Sequence, residues 1–287
     1  MTQVDPELVA RLEDKVVDIK KQLFKLANSI GAAHLGGALS NSDIAVALYY
    51  HKLKVDPKRP DWPERDRFVL SKGHMGCLYY NILSDLGFFP RGDIVAGYNV
   101  INGRFGIHPN RKYIPGIEAS TGSLGHGLAL ALGMALYGRM RKASWGVYCV
   151  TGDGELNEGS NWEAIMAAAK YQLGNLVAIV DVNKLSIGGP TASVMPMEPM
   201  DEKWSSFGWD VKRIDGHDMA KIVETLDALP PADSQIRRKP ICIVADTTKG
   251  KGIPFMENNA GWHIGGLDDE ACAECCDLIE ATRKTRA

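Results

Sequence analysis

From Pro6 to Ser29 the apolar positions Leu8, Val9, Leu12, Val16, Ile19, Leu23 and Leu26 recur at three- and four-residue spacing among Lys, Asp and Glu. That spacing lays one stripe of an α-helix against a core. Ser42 and Asp43 can cap the run Ile44 to Tyr50, so a second helix is expected to start there, after a Gly-rich loop over residues 31–41. Short apolar and β-branched runs then recur at Arg67 to Leu70, Gly146 to Thr151, Leu176 to Asp181, Trp209 to Ile214 and Ile241 to Asp246, each followed by helical spacing. This alternation predicts an α/β fold, a mostly parallel sheet with helices on both faces. One domain over residues 1–287 is the simplest reading, with a Gly-rich excursion from Asn102 to Gly127, a long loop from Lys184 to Lys203, and a polar helical tail from Asp268 to Ala287.

Composition narrows the partners. The chain has 287 residues, 45% hydrophobic and 24% charged, with 33 Lys plus Arg against 35 Asp plus Glu and a formal net charge of −2. No overall field attracts a nucleic-acid backbone or an anionic membrane, which leaves small molecules and proteins as expected ligands. The first residues lack a basic region followed by an apolar stretch, and the apolar runs are strand-sized, so a cytoplasmic protein is expected. Cys149 and Cys242 fall inside strand-like runs and read as reduced core residues. Cys272, Cys275 and Cys276 have no second Cys or His pair at zinc spacing; positions 272 and 275 merely share a helix face.

Several predicted strands end in polar or Gly-rich turns, which in an open α/β sheet is where ligands bind. The strongest is Gly152-Asp153-Gly154-Glu155-Leu156-Asn157-Glu158-Gly159, followed by a helix, a strand and then Asp181-Val182-Asn183-Lys184-Leu185. Gly-Asp-Gly alone is a common tight turn. Here residues 155–182, 28 in number, separate Gly154 from Asn183, which puts a carboxylate and a carboxamide at adjacent strand ends. Both can offer oxygen to one hard cation, and the glycines let the backbone approach a diphosphate.

Taken together, these segments resemble a thiamine-diphosphate enzyme, and others in chain order resemble the transketolase family in particular. They are Ala33-His34-Leu35-Gly36-Gly37, Ser71-Lys72-Gly73-His74, Gly106-Ile107-His108-Pro109, Ser120-Thr121-Gly122-Ser123-Leu124-Gly125-His126-Gly127, Asp215-Gly216-His217-Asp218, and Lys249-Gly250-Lys251-Gly252 through Trp262-His263. The resemblance implies thiamine diphosphate held through Mg²⁺, or another divalent cation such as Ca²⁺ or Mn²⁺, with Asp153, Asn183 and the Leu185 carbonyl as metal ligands. It implies His34, His108 and His263 as catalytic residues. His74, Gly122, Ser123, Leu124, Gly154, Glu158, Asn183 and His263 would contact the cofactor, Glu158 as a buried carboxylate linking paired sites or, on a simpler reading, a charge at a helix N-terminus. The family's pyrimidine-binding and C-terminal domains have no counterpart here. A partner subunit carrying them is expected, in an α2β2 heterotetramer acting on sugar phosphates or related sugars.

His51 reads as solvent-facing, His217 as a structural turn residue, and the six Trp as core or interface, with Trp262 beside His263 the one worth testing. His126 stands where the family often carries Gln. Ala33 and Leu35 depart from the family's Gly and Pro around the first histidine, and with Gly261 to Gly265 would line the donor pocket, so a branched or sulfonated ketose joins the common ketose phosphates as an expected donor. Other readings are a 1-deoxyxylulose-5-phosphate synthase-like or 2-oxo-acid dehydrogenase α-like subunit, and a non-catalytic paralogue. A dinucleotide-binding oxidoreductase is disfavoured because no Gly-x-Gly-x-x-Gly opens a helix after the first strand.

Overall fold

The computed structural model describes residues 4–233, 236 and 238–284. Helix α1 (Pro6–Ile30) starts at Asp5, whose side chain accepts the Glu7 amide at 3.0 Å, and stops at Gly31 in the left-handed conformation. Its stripe of Leu12, Val16, Ile19, Leu23 and Leu26 is buried. There follow α2 (Leu35–Ala47), which runs into one widened turn over Leu48–Lys52, then β1 (Arg67–Leu70), α3 (Gly76–Leu86), α4 (Arg91–Gly97), α5 (Gly127–Met140), β2 (Val147–Gly152), α6 (Gly159–Lys170) and β3 (Leu176–Val182). The chain continues through a ribbon of β4 (Leu185–Ser186) and β5 (Gly189–Pro190), then α7 (Thr191–Val194), α8 (Met200–Ser206), β6 (Asp210–Asp215), α9 (Met219–Asp227), β7 (Ile241–Asp246) and α10 (Asp269–Lys284).

Five strands form one wholly parallel sheet in the order β1-β2-β3-β7-β6. β2 and β3 are buried along their whole length, as strands covered on both faces must be, which explains their unbroken apolar runs. Alternate residues face two cores. Tyr148, Val150, Val177 and Ile179 pack with α1, α2 and α3, while Cys149, Ala178 and Val180 pack with residues of α5, α6 and α8, including Trp204. All five carboxyl ends lie on one edge, so the turns after β1, β2, β3 and β7 converge there.

Four expectations need correction. α2 begins at Leu35, not at Ser42, and consumes most of the expected loop; Ser42 bonds to the Ala38 carbonyl at 2.8 Å as a mid-helix residue. Ala33 and Leu35, expected in a loop lining the donor pocket, have buried side chains, at 1% and 0% exposure. The loop from Lys184 to Lys203 contains the β4–β5 ribbon, α7 and the start of α8. His51 is half-buried and bonds Asp227 at 2.8 Å instead of facing solvent.

The tail helix α10 packs on α1 through Cys272, Cys275 and Ile279, with Lys21–Glu280 and Arg283–Asp18 pairs at its rim; residues 285–287 of the expected tail lie outside the described residues. No described helix is long and apolar enough to cross a membrane. α5 and α6 leave Leu130, Tyr137, Met140 and Met166 exposed, with Tyr171 just beyond α6.

Candidate active site

A cleft of about 330 Å³ sits over the converging strand ends, lined by residues that include Lys72, His74, His108, Gly122, Asp153, Asn183, Leu185, Lys249 and His263. Two glycines account for the close packing of its loops. A side chain at Gly36 would place Cβ 2.7 Å from the Trp262 carbonyl oxygen, so only glycine lets the loop bearing His263 rest on the first turn of α2. Gly122 has φ +149°, and its Cβ would fall 2.8 Å from His108 Cγ. Trp262 itself packs on Phe255 and Gly265, a structural role.

His34 stands just before α2, and its ring centroid lies 5.3 Å from those of His74 and His263, which are 5.2 Å from each other. His108 is separate, exposed at the mouth. Burial, reinforced by Lys72, pushes the His74 pKa down to about 2. Burial and then Lys249 bring His263 to about 4. His34 is also lowered, by burial and by His108 and Lys249. All three rings are therefore neutral at pH 7, each with one nitrogen that accepts and one that donates. His34 Nδ1 is buried without a hydrogen-bond partner, a group that awaits a ligand.

The expected metal ligands converge below these rings. Asp153 is 3% exposed; its Oδ1 accepts the Gly154 amide at 2.8 Å and its Oδ2 the Lys184 amide at 2.7 Å. Asn183 is oriented by accepting the Leu185 amide at 3.2 Å and donating to Asp181 at 3.3 Å. The Leu185 carbonyl accepts from Lys249 Nζ at 3.2 Å. Burial and the neighbouring Asp181 charge raise the Asp153 pKa, which is the electrostatic setting a bound cation would relieve. A carboxylate, a carboxamide and a carbonyl make an all-oxygen set that suits Mg²⁺ and not a softer metal. Among the described residues no cluster of three His, Cys, Asp or Glu forms an alternative metal centre. A Cβ at Gly37 would meet Met75 Sδ at 3.6 Å and His74 Nε2 and Lys72 Nζ at 3.7 Å each, so these polar groups stand beside the first turn of α2. These features fit a metal-bound diphosphate.

Other expected residues divide. Leu124 and Ser123 are exposed, Leu124 at the cleft. The Gly154 amide turns toward Asp153. Glu158, expected as a carboxylate linking paired sites or as a charge at a helix N-terminus, is the residue that precedes α6 and is exposed in the isolated chain. The buried carboxylate is that of Glu155, 3% exposed, which accepts from Ser71 Oγ and from the Gly125 and Gly152 amides at 3.0 and 3.1 Å and so ties the 122–125 loop to β2. His126 is exposed.

Sequence reasoning also missed two buried lysines. Lys72 pairs with Asp181, which is 0% exposed and also accepts from Ser40 at 2.6 Å and from Thr247. Burial opposes ionisation of Asp181, but Lys72, Ser40 and Thr247 outweigh it and hold its carboxyl below the usual range. Lys249 is 2% exposed, 3.0 Å from His263 Nδ1, and burial lowers its pKa to about 8. Their one visible signal was a lysine beside a Gly-His or Gly-Lys turn at a strand end. A larger cleft of about 480 Å³, lined by Arg65, Arg67, Glu118 and Trp145, lies elsewhere; Arg65 there is already engaged by Glu118 at 2.6 and 2.8 Å.

The family described as "Transketolase, thiamine diphosphate binding domain" matches residues 14–278, and the chain belongs to it. It is 40% identical over 253 residues to one of the subunits of apulose-4-phosphate transketolase from Actinobacillus succinogenes, covering 88% of this chain and 90% of that protein. It is 39% identical over 252 residues to the 6-deoxy-6-sulfo-D-fructose transketolase subunit SqwG of a Clostridium species, again 88% and 90%. Transketolase of Pichia stipitis in complex with sedoheptulose 7-phosphate superposes with a TM-score of 0.82 at 26% identity, covering 96% of this chain and 45% of that one. This chain thus spans under half the length of that solved transketolase.

Proposed function

We propose that the chain is the cofactor-binding subunit of a two-chain transketolase, which moves a two-carbon ketol unit from a ketose donor to an aldose acceptor. The observation that carries this reading is the meeting of three neutral imidazoles, His34, His74 and His263, beside a cleft lined by the oxygen-bearing Asp153, Asn183 and Leu185. The match to two proteins named as transketolase subunits, each covered over 90% of its length, supports it. Thiamine diphosphate, when bound, supplies the carbon nucleophile that makes and breaks the C–C bond. Asp153, Asn183 and the Leu185 carbonyl would hold Mg²⁺, and Lys72, Lys249 and His74 would bind the diphosphate. Gly122, Ser123 and Leu124 would contact the cofactor ring, with Glu158 available to an assembly interface.

His34 and His263, uncharged at neutral pH, donate to or accept from the sugar oxygens and carry protons between them. His108, at the mouth, contacts the donor's first hydroxyl. The partner subunit brings the rest of the cofactor site, in an α2β2 assembly located in the cytoplasm. The donor belongs with ketose phosphates or with the sugars for which the two relatives are named.

The test is ketol transfer to ribose 5-phosphate with thiamine diphosphate and Mg²⁺, offering xylulose 5-phosphate, apulose 4-phosphate or 6-deoxy-6-sulfofructose. The chain alone is compared with the chain co-expressed beside its neighbouring reading frame. Activity in the pair and not in the single chain is expected. Normal turnover by the isolated chain, or activity with pyruvate in place of a ketose, would overturn the reading.

A further inference from the structure

The Asp215-Gly216-His217-Asp218 turn has no place in the cleft, yet His217 lies directly behind it. His217 Nδ1 is 3.1 Å from Asp43 Oδ2 on α2, and Nε2 accepts the Thr248 amide at 2.8 Å. A ring nitrogen that accepts an N–H carries no proton, so the hydrogen sits on Nδ1 and points to Asp43. Asp43 is suited to receive it: burial opposes its charge, but Lys20 at 3.9 Å and His217 prevail and lower its pKa. Lys20 also donates to the Lys251 carbonyl at 3.3 Å.

The loop after β7 is consequently gripped from several sides. Thr247 Oγ1 donates to Asp181, the Thr248 amide to His217, and the Gly250 amide to the Gly36 carbonyl at 3.0 Å, while the Lys251 carbonyl accepts from Lys20. Lys249 lies in the middle, with Nζ at the Leu185 carbonyl and at His263 Nδ1. The Lys249 carbonyl accepts the Asn258 amide at 3.0 Å, and the backbone just before Lys249 is held by the His217–Thr248 bond.

We propose that His217, fixed as its Nδ1–H tautomer by Asp43, is a positioning residue that sets Lys249, and through it His263, in the cleft. The use of the cleft rests on the function proposed above; the relay itself is a property of this chain. It joins α1, α2, the β6–α9 turn and the β7 loop, so the elements that carry His34 and Lys249 move as one piece.

The experiment is NMR on the full chain, deuterated and labelled with ¹⁵N-histidine, free of cofactor. Wild type is compared with His217→Gln, whose amide oxygen can still accept from Thr248, and with His217→Ala and His217→Phe, which cannot accept. Phe keeps the ring volume, so the comparison survives if the Ala variant fails to fold. The expected result is a wild-type His217 protonated at Nδ1 and bare at Nε2. His263 should titrate well below 6.5 in wild type and in His217→Gln, and rise by about one pH unit, a tenfold gain in proton affinity, in His217→Phe as Lys249 drifts away. A wild-type Nε2–H tautomer, or an unmoved His263 in folded His217→Phe, overturns the proposal. Thiamine-diphosphate binding by the assembled wild type is measured alongside: its absence sinks the functional reading and leaves the tautomer and the His263 titration to decide the relay.

Discussion

Asp181→Ala removes the carboxylate on which α2 and the segments after β1, β3 and β7 converge. It leaves Lys72 Nζ, 2% exposed, without its counter-ion, and strips an acceptor from Ser40, Thr247 and Asn183. Breaking a buried pair from one side costs about 3–5 kcal/mol, a large part of the roughly 5–15 kcal/mol that keeps a domain folded. At the sensitivity of a chain this size, the melting temperature should fall by roughly 10 °C. Lys72→Met should cost less, because Asp181 keeps three neutral donors. The double variant should cost at least about 2 kcal/mol less than the sum of the two, since the charges whose isolation is penalised leave together. The assay is urea and thermal unfolding of the cofactor-free chain, followed by circular dichroism. Additivity within about 0.5 kcal/mol, or a loss under about 1 kcal/mol for Asp181→Ala, would refute the idea that this pair is the electrostatic keystone of the cleft.

Three further outcomes are expected. Asp153→Ala, which loses the carboxylate proposed to bind the metal and the acceptor for the Gly154 and Lys184 amides, should weaken Mg²⁺-dependent thiamine-diphosphate binding by about 100-fold; calorimetry on the assembled enzyme that finds it unchanged removes Asp153 from the proposed metal site. Folding lowers the His263 pKa from 6.5 to about 4, so the unfolded chain holds the extra proton between those values, and this group's contribution is level above pH 6.5 and is lost as the pH falls toward 4. The urea midpoint should decline across that window, less steeply in His263→Gln; equal slopes would contradict the shift. Gly122→Ala forces a Cβ to within 2.8 Å of His108 at a positive φ and should cost about 1 kcal/mol of stability while lowering turnover more than His108→Ala does alone; a variant as active as wild type would show that the loop has room to yield.

Much of the sheet was legible because a parallel strand covered on both faces is an unbroken apolar run, and Arg67–Leu70 and Ile241–Asp246 fall where that pattern puts them. α2 was misplaced because a capping rule favoured Ser42 and Asp43, whereas the Gly36–Trp262 contact and the burial of Leu35 set its start. Tertiary packing decided that boundary. In the site, Asp153 and Asn183 could be paired from spacing because adjacent parallel strands bring their ends together. Lys72, Lys249 and Glu155 could not, since their burial depends on partners distant in the chain: Asp181 lies 109 residues from Lys72, Leu185 64 from Lys249 and Gly125 30 from Glu155. Glu155 and Glu158 both follow Gly-Asp-Gly, and only the fold turns Glu155 inward within the chain.

Leu130, Tyr137 and Met140 on α5 and Met166 on α6 stand in water when the chain is alone. An apolar surface of that kind is tolerable for a molecule that meets its counterpart soon after synthesis and hazardous for one that does not. On the two-chain reading, surplus copies would adhere to one another or be drawn off by chaperones and proteases. Balanced production of the two polypeptides then becomes a condition of solubility before it is a condition of turnover, which favours genes transcribed together and ribosomes working side by side.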